Sequence, residues 1–269
     1  MNPLTDLCSL LPPLRRLVRQ AGAAILTVYN SDFAVQAKDD ASPVTAADIE
    51  AERLILAGLA ELTPDIPVVS EEAAAAGQRV DVSGGTFWLV DPLDGTKEFV
   101  KRNGEFTVNI GLVVDGRPQL GVLYAPIPDR LFAACPGQAT VEDQGAQPRP
   151  IACRQPGPAG MIVLSSRSHR DPARFERFVA DFRVAELHLS GSSLKFALIA
   201  AGEADLYPRF GPTMEWDTAA GHAILTAAGG CLTELDGTPL AYGKAGFGNP
   251  SFVAWGTARP PLALPRAIT

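Results

Sequence analysis

Residues 88–99 read WLVDPLDGTKEF, an apolar run that passes without a break into two aspartates, Asp91 and Asp94. A run this apolar reads as a strand buried on both faces. A buried strand does not ordinarily end on paired negative charge, because a buried charge is costly unless something compensates it. Pro92 has a fixed φ and no amide donor, so the turn that follows is stiff. It can hold both carboxylates on one side, with the carbonyl of Leu93 beside them. The plainer reading is a simple turn, since Asp, Pro and Gly all favour turns. The fold that accepts this segment must therefore expose both acids or bring a cation to them.

Other acids also stand where elements end. Asp48 opens a helical pattern in SPVTAADIEAERLILAGLAEL, with Thr45 as an N-cap three residues before it. Glu71 and Glu72 end the strand-like IPVVSEE, and Asp217 precedes the helical TAAGHAILTAAGG. Each has an ordinary reading: Asp48 as a capping-box acid, the glutamate pair as a solvated turn, Asp217 as an N-cap. As a set they read differently. Converging carboxylates raise one another's pKa unless a cation neutralises them. Hard divalent ions, Mg²⁺ above all, take oxygen ligands of this kind, and no His or Cys accompanies the acids as a zinc site requires. The amides and hydroxyl at Gly95-Thr96 are placed to meet an anion. Acids, metal and an anion-receiving turn together point to metal-assisted phosphate hydrolysis.

The rest of the chain organises around these segments. Leu14, Leu17, Val18, Ala21, Ile25 and Val28 follow helical spacing over residues 13–29, with Pro13 in the first turn. Residues 73–86 read as a mobile loop before the site strand. Residues 106–134 form hairpin-like runs around Asp115-Gly116, a turn signal. Pro and Gly cluster over 136–160, which marks a boundary between a half of about 1–155 carrying most candidate ligands and a half of about 156–269. The second half reads as a strand at 161–165, helices at about 172–182 and after SGSS, a strand at 204–207, a helix after MEWD, and closing strands near Cys231 and Phe252. The first half thus pairs helices with antiparallel sheet, and the second alternates in α/β fashion.

Composition excludes several classes. The 269 residues carry a formal net charge of -7, against the basic face a nucleic-acid polymer would need. No apolar run reaches the roughly 18 residues of a membrane span, and the N-terminal arginines follow the leucines instead of preceding them as in a secretory signal. The chain is read as cytoplasmic. Cys8, Cys135, Cys153 and Cys231 form no CxxC and read as reduced thiols, Cys231 in the core. His188 and His222 read as structural. Glu215, beside Trp216, has no account in the sequence.

DPLDGTKEF followed downstream by EWDTAAGHAIL resembles the inositol monophosphatase-like superfamily of Mg²⁺-dependent, lithium-sensitive phosphatases. SPVTAAD, PVVSEE, GVLYAP, SSRSH, GSSLKF and LYPRFGP narrow the resemblance to its bacterial bisphosphate-nucleotidase branch, over about residues 13–255. The resemblance implies an α+β fold, a layered αβαβα sandwich with the site between its halves. It implies hydrolysis of the 3'-phosphate of adenosine 3',5'-bisphosphate, a by-product of sulfate assimilation, to give AMP. Carried over position by position, Glu71, Asp91, the Leu93 carbonyl, Asp94 and Asp217 hold two or three Mg²⁺ ions, with Glu72 behind them or on the third ion. Asp48 and Thr96 activate the water. Gly95 and Thr96 hold the phosphate, and Ser166, His169, Gly191 and Lys195 contact the nucleotide, Lys195 and His169 serving its second phosphate. The alternatives are inositol monophosphatase or fructose-1,6-bisphosphatase activity, against which KEF after DGT speaks, and a non-catalytic metal binder, which would have lost a ligand acid or Thr96. Monomer and homodimer stay open, as does a peripheral association with the inner membrane, for which the sequence shows no anchor.

Overall fold

The computed structural model describes residues 6–31, 35–37 and 43–257, with side chains described outside 35–37 and 43–45. The expected Thr45 cap therefore lies outside the described side chains. The elements run α1 (Leu11–Tyr29), β1 (Val35–Ala37), β2 (Pro43–Thr45), α2 (Ala46–Leu62), β3 (Val68–Ser70), α3 (Glu71–Ala75), β4 (Thr86–Asp94), α4 (Thr96–Val100), β5 (Thr107–Val114), β6 (Arg117–Ala125), β7 (Arg130–Cys135), β8 (Gln138–Asp143) and β9 (Arg149–Pro150). They continue β10 (Met161–Ser166), α5 (Pro172–Val179), β11 (Val184–Ser190), α6 (Leu194–Ala200), β12 (Leu206–Arg209), β13 (Thr213–Met214), α7 (Ala219–Ala227), β14 (Cys231–Glu234), β15 (Gly248–Asn249) and β16 (Phe252–Trp255).

Five layers follow from which faces are apolar. Strands β3 to β9 form one sheet in sequence order, antiparallel except for the parallel β3–β4 pair. Its alternate residues point two ways. Trp88, Val90, Ile110 and Val122 face Leu14, Val18, Ile55 and Leu59 of α1 and α2. Leu89, Val113, Leu123 and Phe132 face the opposite way, toward α6 and α7. Those two helices pack in turn on the second sheet, ordered β11-β10-β12-β16-β14. Phe175 and Phe178 of α5 close its far side against Val163, Val253 and Trp255. The result is the αβαβα sandwich. No helix among the described residues is long and apolar enough to cross a membrane.

The helical spacing of α1 is realised: Leu14, Val18, Ala21 and Ile25 are wholly buried. The Asp115-Gly116 hairpin is also present, both residues having positive φ as a tight two-residue turn requires. Two expectations change, and one strand went unread. The Pro/Gly-rich stretch 136–160 is not all connection, because Gln138–Asp143 pairs with β7 and extends the first sheet. Strand β11, exposed along most of its length, carries no burial signal to read. Cys8 and Cys135 are not reduced thiols but form a disulfide, with Cα atoms 5.3 Å apart across 127 residues of sequence. Cys8 lies in the short 3-10 turn before α1 and Cys135 ends β7, a proximity that exists only once α1 has docked on the sheet. Cys153 and Cys231 are free and half-buried, Cys231 donating to the Thr257 carbonyl.

Candidate active site

The first sheet delivers its acids at the C-terminal end of β4. Asp91 still pairs with Asn109 of β5, but the register breaks before Asp94 pairs with Thr107. Asp91 Oδ1 accepts from the Leu93 amide at 3.1 Å, an Asx turn around Pro92. Gly95 follows at φ 93°, a conformation that costs a side-chain-bearing residue dearly. A Cβ there would also stand 2.9 Å from the Glu105 carbonyl. The backbone then enters α4, and the Thr96 hydroxyl donates to the Leu93 carbonyl at 3.3 Å.

These residues line a cavity of about 310 Å³ between the two sheets. Glu71, Asp91, Leu93, Asp94, Gly95, Thr96 and Asp217 stand on its wall, as do Ser166, His169, Gly191 and Lys195. Asp48 and Glu72 do not. Asp48 is wholly buried in the first turn of α2, close enough for its charge to be felt at Asp91. Glu72 follows Glu71 in the first turn of α3, whose Ala73 amide donates to Glu52 of α2. Asp217 is not an N-cap: Thr218 takes that position, and Asp217 Oδ2 instead accepts from the Met214 amide at 2.9 Å.

The acids destabilise one another. Burial, then repulsion from Glu71, Asp94, Asp217 and Asp48, holds the Asp91 carboxyl well above its ordinary range. Asp217 is held well above for the same reasons, with Asp94 and Glu71 as the largest repulsions. Asp94 is raised by burial and Glu98, against the pull of Lys195 and the Ser193 amide. Among the described residues no three such side chains close around one point as a ready-made cation cage. The donor set nonetheless fits one kind of group: carboxylates and a main-chain carbonyl, all oxygen, whose buried charge a hard divalent cation would neutralise.

The opposite wall is basic. Lys195 is buried, donates to the carbonyls of Ser190 and Ser192, and lies 5.0 Å from the Tyr207 ring. Burial brings its pKa down to about 8, against the pull of Asp94. The His169 amide donates to Ser166 Oγ at 3.1 Å, and its Nε2 meets Lys97 Nζ at 2.9 Å. Burial, then Lys97 and Arg209, lowers the His169 pKa. The Gly191 amide donates to Glu105, which Arg167 grips with two bonds of 2.7 Å. Sequence reasoning passed over Arg209. Its guanidinium is almost wholly buried and donates to the carbonyls of His169, Gly211 and Pro212. It forms no ion pair among the described residues, and it lines the cavity. The sign that could have found it is an arginine in LYPRFGP, one strand away from the acids.

The family profile described as the inositol monophosphatase family matches residues 6–259. The chain belongs to that family. A 3'(2'),5'-bisphosphate nucleotidase CysQ from Escherichia coli K12 is 49% identical over 240 residues, 88% of this chain and 96% of that protein. The protein of the same name from Buchnera aphidicola is 42% identical over 250 residues, 91% of this chain and 93% of its own. Among solved structures, CysQ from Bacteroides thetaiotaomicron superposes with a TM-score of 0.75 at 38% identity, covering 91% of this chain and 95% of that one. An inositol monophosphatase from Anabaena superposes equally well, TM-score 0.75, at 26% identity over 94% and 92%. The shared fold thus carries more than one phosphatase activity, and the sequence likeness is greater on the nucleotidase side.

Proposed function

We propose that this family member is a 3'(2'),5'-bisphosphate nucleotidase: a phosphoric monoester hydrolase that converts adenosine 3',5'-bisphosphate to AMP and phosphate. One observation carries the reading. The cavity is lined by acids, Glu71, Asp91, Asp94 and Asp217, and by bases, Lys195 and Arg209, the latter donating to main-chain carbonyls and forming no ion pair among the described residues. A substrate with one phosphate would use the acidic wall, through cations, and leave the buried guanidinium unanswered. A nucleotide with two phosphates answers both walls, and the relatives named CysQ support the same choice.

Glu71, Asp91, Asp94, Asp217 and the Leu93 carbonyl are assigned to hold Mg²⁺, with Glu72 behind them. When bound, such ions supply a water of lowered pKa and neutralise charge building on the phosphate. The chain's own residues do the rest. Asp48, buried behind the cavity wall with its charge felt at Asp91, would take the proton of such a water, and the Thr96 hydroxyl would orient it. Gly95 and Thr96 hold the scissile phosphate from the α4 side. Arg209, Lys195 and His169 hold the second phosphate, the first two as full charges and His169 as a neutral donor or acceptor. Ser166 fixes the His169 backbone, and Glu105 with Arg167 fixes Gly191. The product then belongs to nucleotide recycling after sulfate assimilation.

The deciding experiment is phosphate release with Mg²⁺ from adenosine 3',5'-bisphosphate, inositol 1-phosphate and fructose 1,6-bisphosphate. A clear preference for the nucleotide is expected. Inositol 1-phosphate as the better substrate would leave the phosphatase and remove the nucleotidase.

A further inference from the structure

Glu215 is wholly buried, two residues before Asp217, and every polar atom it owns is bonded. Its carboxylate accepts from the amides of Gly243 and Lys244 at 2.8 and 2.9 Å and pairs with Lys244 Nζ at 2.7 Å. Its amide donates to the Phe247 carbonyl at 2.8 Å. Its carbonyl accepts from the Thr218 and Ala219 amides and the Thr218 hydroxyl, which closes the first turn of α7. One residue therefore ties the arm 242–249 to the segment that carries Asp217.

The same arm holds that segment on both sides. Thr213 and Met214 pair with Asn249 and Gly248. Asn249 Nδ2 donates to the Met214 carbonyl at 2.7 Å and the Thr218 hydroxyl at 3.1 Å. Tyr242 Oη donates to the Thr218 hydroxyl at 3.1 Å. The Phe247 ring lies 6.2 Å from that of Trp216, which itself lines the cavity. Phe247 has φ 56°, which a bulky residue rarely adopts. Strain of this kind persists where the surroundings over-determine it. Among the described residues Asp217 makes no hydrogen bond to the arm: its side chain and amide bond to Met214. Its place in the cavity is thus set by the turn 214–218, and the arm sets the turn.

We infer that Glu215, with Lys244, is a positioning residue that holds Asp217 at the angle needed to ligate a divalent cation, and so sets how tightly the protein binds that cation. The inference rests on the cation-binding reading above. Glu215 suits the task because its own charge is answered inside the protein, by Lys244 and two amides, so it does not compete for the ion.

The test is Glu215→Gln in the full chain. A glutamine has the same shape but only one acceptor oxygen, and its amide turns donors toward donors. Calorimetric titration of the substrate-free protein with Mg²⁺ should show affinity at least roughly tenfold weaker, about 1.4 kcal/mol. The Mg²⁺ concentration for half-maximal phosphate release should rise in parallel, while KM for the bisphosphate at saturating Mg²⁺ stays within about twofold. Lys244→Met keeps both amide bonds and should give a smaller shift in the same direction. It also carries the test if Glu215→Gln does not fold. A lowered melting midpoint with unchanged Mg²⁺ affinity in the folded variant would overturn the inference, since a merely structural role predicts that result. Failure of the unaltered protein to bind Mg²⁺ would instead remove the cation reading beneath it.

Discussion

The two walls of the cavity handle buried charge in opposite ways. On the acidic wall, Asp91, Asp94 and Asp217 sit together with few donors, and their carboxyls are pushed up by burial and by one another. On the basic wall, Arg209 and Lys195 spend their donors on main-chain carbonyls, which satisfy hydrogen bonds without cancelling charge. Arg209 forms no ion pair among the described residues, although its charge is felt at Asp217. Lys195 and Arg209 offset part of the charge at Asp94 and Asp217, and a cation on one side and an anion on the other would complete the balance. Glu215 and Asp205 show the alternative within the same molecule: both are buried, and both are answered internally, by Lys244 and by Arg154. Close ion pairing suits a structural role for these two, and the lack of a close ion pair among the described cavity residues fits the proposed site for charged ligands.

Removing the cation breaks the acidic wall outright. Phosphate release in excess EDTA should fall to background and return with Mg²⁺. Turnover that persists in chelator would mean that the carboxylates work without an ion. Next in size is Asp94→Asn, which keeps shape and removes one charge. Turnover should fall roughly a hundredfold or more, as when a single electrostatic stabiliser is lost. The metal-free melting midpoint should hold or rise, because the lost charge was repelled by its neighbours. A large drop in that midpoint would return the DPLD segment to a structural turn.

The basic wall is better tested at Arg209 than at Lys195, because Lys195 also offsets Asp94 and its loss would disturb both walls. Arg209→Met should raise KM for adenosine 3',5'-bisphosphate at least roughly tenfold, about 1.4 kcal/mol of binding. Any hydrolysis of inositol 1-phosphate should change by less than about twofold. Equal damage to both substrates would show that the guanidinium shapes the cavity and does not read a second phosphate.

Asp91 and Asp94 stood out in the sequence by themselves, whereas Lys195 and His169 came only from the family resemblance and Arg209 not at all, for a physical reason. Asp91 and Asp94 announce themselves because they interrupt a buried strand, and a costly charge in an apolar run is visible without a structure. Arg209 ends β12 in a run that reads equally well as ordinary surface, and only the fold shows it buried. The helices α1 and α2 and the β5–β6 hairpin were legible from periodicity and turn chemistry, which are local. Strand β11, β8 inside the Pro/Gly-rich stretch, and the Cys8–Cys135 pairing were not, since each depends on partners far away in sequence. Glu215 belongs to the same group: its donors lie some thirty residues on, at Gly243 and Lys244.

The smallest effect sharpens the comparison by pH. Asp91 is held well above its ordinary carboxyl range in the folded protein. A group with a raised folded pKa favours the fold fully below its unfolded pKa, and that favour is lost as pH rises through the folded pKa. In metal-free protein, Asp91 should therefore weaken the fold progressively as pH climbs from about 4. Glu105, lowered by its bonds to Arg167 and Gly191 against burial, works in the opposite sense, so the wild-type curve alone mixes signs. The difference between wild type and Asp91→Asn isolates the acid. In EDTA the two melting midpoints should nearly coincide at pH 4. By pH 8 the variant should melt higher by a few degrees, at about 2–4 °C per kcal/mol for a chain approaching this size. With saturating Mg²⁺ at pH 8 the order should reverse, because the ion then stabilises the carboxylate it binds. A variant that melts lower than wild type at every pH in EDTA would show that Asp91 is satisfied within the protein, and the contrast between the two walls would not survive.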